Sequence, residues 1–100
     1  MKIIIQAVQF TADQKLMDLA QSKLEKLTHF YDRIIDATVY FKIDGKSSHI
    51  KDKQVEIKLN IPGSQIFVRE DSKVFEEALD QAVDATARQL KRIKEKRREG

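Results

Sequence analysis

The chain has 100 residues, 41% hydrophobic and 35% charged, with a formal net charge of +3 and no cysteine. That length holds one domain with one core, residues 1–100, and excludes two ordinary domains, while the composition suits a soluble globular protein rather than a disordered one. The missing cysteine excludes disulfides, thiolate metal sites and cysteine nucleophiles.

The opening "MKIIIQAVQF" is β-branched from Lys2 to Phe10 and predicts a first strand. Gln6 and Gln9 interrupt its apolar run and no small-residue cleavage site follows, so it is neither a signal peptide nor a membrane span. "TADQ" follows the capping-box pattern, with Thr11 accepting from a free helix N–H and Gln14 reaching back. The spacing of Leu16, Ala20, Leu24 and Leu27, widened by Leu19, predicts a helix from about Ala12 to Thr28. Gln14, Asp18, Gln21 and Glu25 occupy its other face, so it lies on something with one side only.

From Ala37 to Ile43 the chain alternates, with Ala37, Val39, Phe41 and Ile43 on one face and Thr38, Tyr40 and Lys42 on the other. "QVEIKLNIPG" repeats the pattern, with Val55, Ile57, Leu59 and Ile61 against Gln54, Glu56, Lys58 and Asn60. Two strands with one polar face each imply a sheet covered on one side and open to water on the other. "GKSSHIKDK" between them reads as a polar hairpin loop. Pro62 and Gly63 mark a tight turn into a shorter strand, roughly Gln65 to Arg69.

A long helix is predicted from about Ser72, with Asp71 or Ser72 as cap and Glu76 and Glu77 suited to the positive end of the helix dipole. Its apolar stripe is Phe75, Ala78, Leu79, Ala82, Thr86, Leu90 and Ile93. Such a helix spans about 39 Å against ~20 Å for the strands, so its basic end, about residues 88–100, should overhang the sheet. The order β-α-β-β-β-α gives an α+β fold in two layers, a four-stranded sheet with both helices on one face.

Little in the chain supports catalysis. His29 and His49 are too few for a triad or a histidine metal site; His29 suits a helix C-terminus and His49 a solvent-facing loop. Glu70, Asp71, Glu76, Glu77, Asp80 and Asp84 raise a metal hypothesis, but dipole complementation accounts for the first four. With only three glycines there is no phosphate-binding loop. The expectation is no enzyme, no cofactor, no metal and no small-molecule substrate.

The charge distribution says more. Between Arg88 and Arg98 stand seven Lys or Arg and one acid, Glu95, which leaves 12 basic and 14 acidic residues before Arg88, a net of −2. On a helical wheel Arg88 and Arg92 point away from Leu90 and Ile93, with Lys91, Lys96 and Arg98 flanking. Cations one turn apart on an exposed surface can match successive phosphates. Lys23 and Lys26, near the end of the first helix, extend the patch. Tyr31, Tyr40 and Phe67 are the only aromatic candidates for base stacking, and each reads better as packing, which favours backbone and shape recognition over sequence reading. Two readings of other kinds stay open: a protein-interaction module using the open sheet face, and a general double-stranded RNA binder.

"KLEKL" at Lys23–Leu27, "DRIIDATV" from Asp32, "VEIKLNIPG" from Val55, "FEEALDQAVD" from Phe75 and "RQLKRIKEK" from Arg88 together resemble, in order and over nearly the whole chain, the short form of the bacterial ribosome hibernation-promoting factor and ribosome-associated inhibitor family. The resemblance implies the same β-α-β-β-β-α fold and a cytoplasmic stress-response protein of stationary phase. It also implies binding to the small ribosomal subunit and its ribosomal RNA, in the channel for messenger and transfer RNA, which silences idle ribosomes. By that likeness the RNA-contacting cations are Lys23, Lys26, Arg88, Lys91 and Arg92, with Lys94 and Lys96 beside them. No membrane role is implied, and the protein is expected to be a monomer off the ribosome. Where many relatives carry Lys-Leu-Glu before "RQL", this chain has Ala85, Thr86 and Ala87, which removes a cation at Ala85 and implies looser packing at Thr86. With no second domain after Gly100, it is expected not to pair ribosomes by the route of the long forms.

Overall fold

The computed structural model describes residues 1–44 and 52–99, with side chains as far as Arg97 at the C-terminal end. Most of the predicted hairpin loop, including His49, and the side chain of Arg98 lie outside the described residues. The elements are β1 (Lys2–Ala7), α1 (Gln14–Phe30), β2 (Asp36–Ile43), β3 (Lys53–Ile61), β4 (Ser64–Ser72) and α2 (Phe75–Glu99). The sheet order is β1-β2-β3-β4, with β1 parallel to β2 and the other pairs antiparallel. A parallel neighbour requires a crossover, and α1 supplies it.

One face of the sheet is the core. Ala37, Val39, Phe41, Val55, Ile57 and Leu59 are fully buried there, beneath Leu16, Ala20, Leu24 and Leu27 of α1 and Ala78, Leu79, Ala82 and Leu90 of α2. Both helices cover that face, as the alternation of β2 and β3 requires. Thr86 is also fully buried, and its hydroxyl donates to the Ala82 carbonyl at 2.8 Å. The polar atom is thereby satisfied within the helix, and among the described residues no buried side-chain N or O lacks a partner.

Element ends differ from the sequence reading for local reasons. β1 stops at Ala7, because Gln9 takes a left-handed backbone (φ 64°) that turns the chain inward. Phe10 then stacks on Phe75 with centroids 5.3 Å apart. The cap of α1 is Asp13, whose carboxylate accepts the Leu16 N–H at 2.8 Å; Thr11 lies two residues too early and stays exposed. The Pro62–Gly63 turn forms as expected, with Gly63 at φ 74° in the position that requires a positive φ. β4 is longer than predicted, since "REDS" continues the ladder opposite Lys53 to Glu56 and Gln54 donates to Asp71 at 3.1 Å. Ser72 is therefore the end of a strand and caps no helix. α2 begins at Phe75, and the first intrahelical bond runs from Ala78 N–H to the Val74 carbonyl at 3.2 Å.

The far end of α2 also corrects the expectation of a free overhang. Ile93 is the last apolar residue against the core. Beyond it the Arg97 guanidinium donates to the Tyr31 hydroxyl at 2.8 Å and to the Pro62 carbonyl at 2.6 Å. Arg97 thus ties the basic end to the close of α1 and to the β3–β4 turn. The tie should be measurable: in a double-mutant cycle, Arg97→Gln and Tyr31→Phe should show a coupling of about 0.5–1 kcal/mol in chemical denaturation. Additivity within ~0.3 kcal/mol would mean that the bond does not hold in solution.

Candidate nucleic-acid interface

The stripe of α2 decides which way its cations face. Successive residues turn by about 100°, so Arg88 lies about 160° round the helix from Leu90, almost opposite the core. Lys91 and Arg92 stand about 60° and 40° to either side of Arg88, Lys96 about 80° and Lys94 about 120°. All five are exposed. Among the described residues, Arg88, Lys91, Arg92 and Lys96 make no ion pair or side-chain hydrogen bond. They form a fan of free charge on a rigid support.

The first half of α2 is the opposite in sign. Glu76, Glu77, Asp80 and Asp84 are exposed, and no Lys or Arg occurs between Phe75 and Ala87. This segregation follows the helix dipole, which favours acids at the N-terminus and bases at the C-terminus. It also confines any polyanion to the C-terminal half.

Helix α1 packs alongside. Lys23 Nζ meets an Asp80 carboxylate oxygen at 2.5 Å, so this predicted contact residue is already paired. A partly exposed pair of this kind is worth roughly 0–1 kcal/mol, little enough for a phosphate to displace. Lys26 is exposed and borders an interhelix cleft of about 300 Å³ whose other walls include Leu27, Phe30, Val83, Asp84 and Ala87. Lys94 turns toward α1, donating to the Phe30 carbonyl at 3.4 Å. The structure therefore gathers Arg88, Lys91, Arg92 and Lys96 on the outward fan of α2, and sets Lys23, Lys26 and Lys94 along its seam with α1. Ala85, partly buried against the core, lies about 60° round the helix from Arg88 on the side of Arg92 and Lys96, so the fan lacks a cation one turn before Arg88.

The open sheet face differs in kind. Tyr40, Glu56 and Arg69 share one cross-strand row, and Ile4, Thr38, Lys58 and Phe67 the next. Glu56 is buried between Lys42 at 2.7 Å and Arg69 at 3.6 Å, so both of these cations are already engaged with a carboxylate. Asn60 donates to Asp36 at 2.6 Å and accepts from Gln65 at 2.8 Å, another closed ladder.

Of the three aromatics read as packing, Tyr31 and Tyr40 follow that expectation and Phe67 does not. Tyr31 is buried and bonded to Arg97, and Tyr40 is half-buried with Lys42 Nζ 5.7 Å from its ring centre. Phe67 is exposed, so packing is not its role. Phe30 was absent from the sequence reading, which ended α1 at Thr28, and it is exposed at the last position of that helix. The clue lay in "HFYDR": two adjacent aromatics at a helix end cannot both face one core.

Comparison with known proteins agrees with this architecture. The family described as Sigma 54 modulation protein / S30EA ribosomal protein matches residues 3–98. A ribosome hibernation promotion factor of Picosynechococcus sp. is 32% identical over 96% of this chain and 50% of its own length. A ribosome hibernation promoting factor of Pseudomonas putida is 28% identical over 96% of this chain and 89% of its own. The chain spans 42% of a further such relative, from Deinococcus radiodurans, and so about half the length of two of these three. A ribosomal subunit interface protein of Coxiella burnetii has the same fold, with a TM-score of 0.82 at 23% identity over 94% of this chain and 98% of its own. On the family match over nearly its full length, the chain belongs to the Sigma 54 modulation protein / S30EA ribosomal protein family.

Proposed function

We propose that this protein is a ribosome hibernation factor that binds the small ribosomal subunit through phosphates of its ribosomal RNA, in the channel for messenger and transfer RNA. The observation that carries this reading is the fan of unpaired cations at Arg88, Lys91, Arg92 and Lys96 on a helix whose rotation the core fixes. Family membership and similarity to ribosome hibernation factors support the ribosome as the partner. Inhibition is by occlusion: a rigid cationic body fills a phosphate-lined channel, and idle ribosomes cannot admit their RNA ligands. No bond is made or broken, so neither cofactor nor substrate is needed. The reading implies a cytoplasmic protein that is a monomer away from the ribosome.

The acidic first half of α2 gives the binding a direction. Phosphates attract residues 88–97 and repel Glu76, Glu77, Asp80 and Asp84, so only one end of the helix enters the RNA. Lys23 and Lys26 then face the same backbone from α1, with Asp80 released from Lys23 as a phosphate replaces it.

With four to six phosphate contacts, the slope of log affinity against log salt should be of order −3 to −5, from ~0.7–0.9 condensed counterions released per contact. Arg88→Gln with Arg92→Gln should make the slope shallower by about two contacts' worth, while stability stays within ~0.5 kcal/mol because both side chains are exposed. Equilibrium binding to purified small subunits across a salt series decides it; an unchanged affinity and slope would make the basic end a solvated helix terminus.

The sheet face serves as the control surface. Lys58→Ala with Phe67→Ala should leave small-subunit affinity within about threefold, since backbone recognition by α2 does not use it. A loss near a hundredfold would move the site to the sheet and make base stacking on Phe67 its basis.

A further inference from the structure

Phe30 stands between two clefts and lines both of them. One is the interhelix cleft with Lys23 and Lys26. The other, about 460 Å³, lies at the end of α1 and is lined by His29, Arg33, Lys94 and Arg97 together with Asp32. Its volume falls in the roughly 300–1,000 Å³ range of small-ligand clefts. Three permanent cations oppose one carboxylate, a net of +2 before His29 is counted. A helix C-terminus alone repels anions, but here Lys94 Nζ lies 3.4 Å from the Phe30 carbonyl and offsets that field. The same ammonium sits 6.0 Å from the Phe30 ring centre, so the exposed ring already has a cation beside its face.

An isolated surface phenylalanine needs no explanation. A phenylalanine in the wall between two clefts, with Lys23 and Lys26 on one side and Arg33, Lys94 and Arg97 on the other, has the composition of a single-stranded nucleic-acid site: a π face for the base and cations for its flanking phosphates. We infer that Phe30 is a stacking platform for one unpaired RNA nucleotide, whose phosphates are held by Lys94 and Arg33 on one side and Lys26 on the other. Duplex RNA does not fit this role, because its base faces are already stacked on each other. The inference rests on the reading of ribosomal RNA as the partner and adds a contact that phosphate recognition lacks.

The chain has no tryptophan, so Phe30→Trp would place a single indole at the site. Its fluorescence should be quenched by a short single-stranded oligoribonucleotide and not by a duplex of equal length. In parallel, Phe30→Leu, which keeps an apolar side chain at an exposed position, should weaken small-subunit binding by about ten- to a hundredfold without changing the salt slope. Phe30→Trp should regain what Phe30→Leu loses, and circular dichroism should show both variants folded. If Phe30→Leu binds as the parent does while Arg88→Gln with Arg92→Gln is weakened, the stacking platform is wrong and the phosphate reading stands. If the parent chain does not bind small subunits, the functional reading fails and the oligonucleotide arm decides alone: quenching by single strands upholds a nucleotide site. Quenching by an acidic peptide and not by RNA overturns it in favour of a protein contact.

Discussion

The packing of the α2 stripe on β3 and β4 is the constraint on which the interface depends. Ala78, Leu79, Ala82, Thr86 and Leu90 are all fully buried, and they lie on one side of a helix that turns about 100° per residue. Rotating the helix by one position would drive Arg88 or Lys91 toward the core, where an unpaired charge costs several kcal/mol. Hydrophobic burial therefore aims the cations. They need no hydrogen bonds to hold their direction, and Arg88, Lys91, Arg92 and Lys96 have none among the described residues.

A second constraint follows from length. A 25-residue helix spans about 37 Å, longer than nine-residue strands can cover. The excess is not left loose. Arg97 bonds to Tyr31 and Pro62, and Lys94 to the end of α1, so two cations of the basic run hold the helix tip while Arg88, Lys91, Arg92 and Lys96 face outward. The basic end thus divides its charges between anchoring and display. Holding the displayed cations in place beforehand lowers the entropy lost on binding.

Much of this was readable in the residues. The alternation of β2 and β3, the two helical stripes and the Pro62–Gly63 turn each follow from period or from a backbone requirement, and the structure reproduces them. The misreadings fall where tertiary partners override local pattern. "REDS" looks like the approach to a helix, yet it pairs with Lys53 to Glu56. Arg97 looks like one more solvated cation, but its partner Tyr31 is 66 residues away. Lys23 is paired with Asp80 across two helices, which no spacing in either helix announces. Ending α1 at Thr28 hid Phe30, because the helix runs two residues further and turns that ring outward.

The central claim is that the outward side of α2 past Asp84 lies against ribosomal RNA. A photo-crosslinking amino acid at position 88, and in a separate chain at position 58 on the open sheet, tests it most directly on purified small subunits. The account predicts crosslinks from position 88 to ribosomal RNA, abolished by prior binding of messenger and transfer RNA, and none from position 58. Crosslinks from position 58 with none from position 88 would place the interface on the sheet, and occlusion by the basic helix would be wrong.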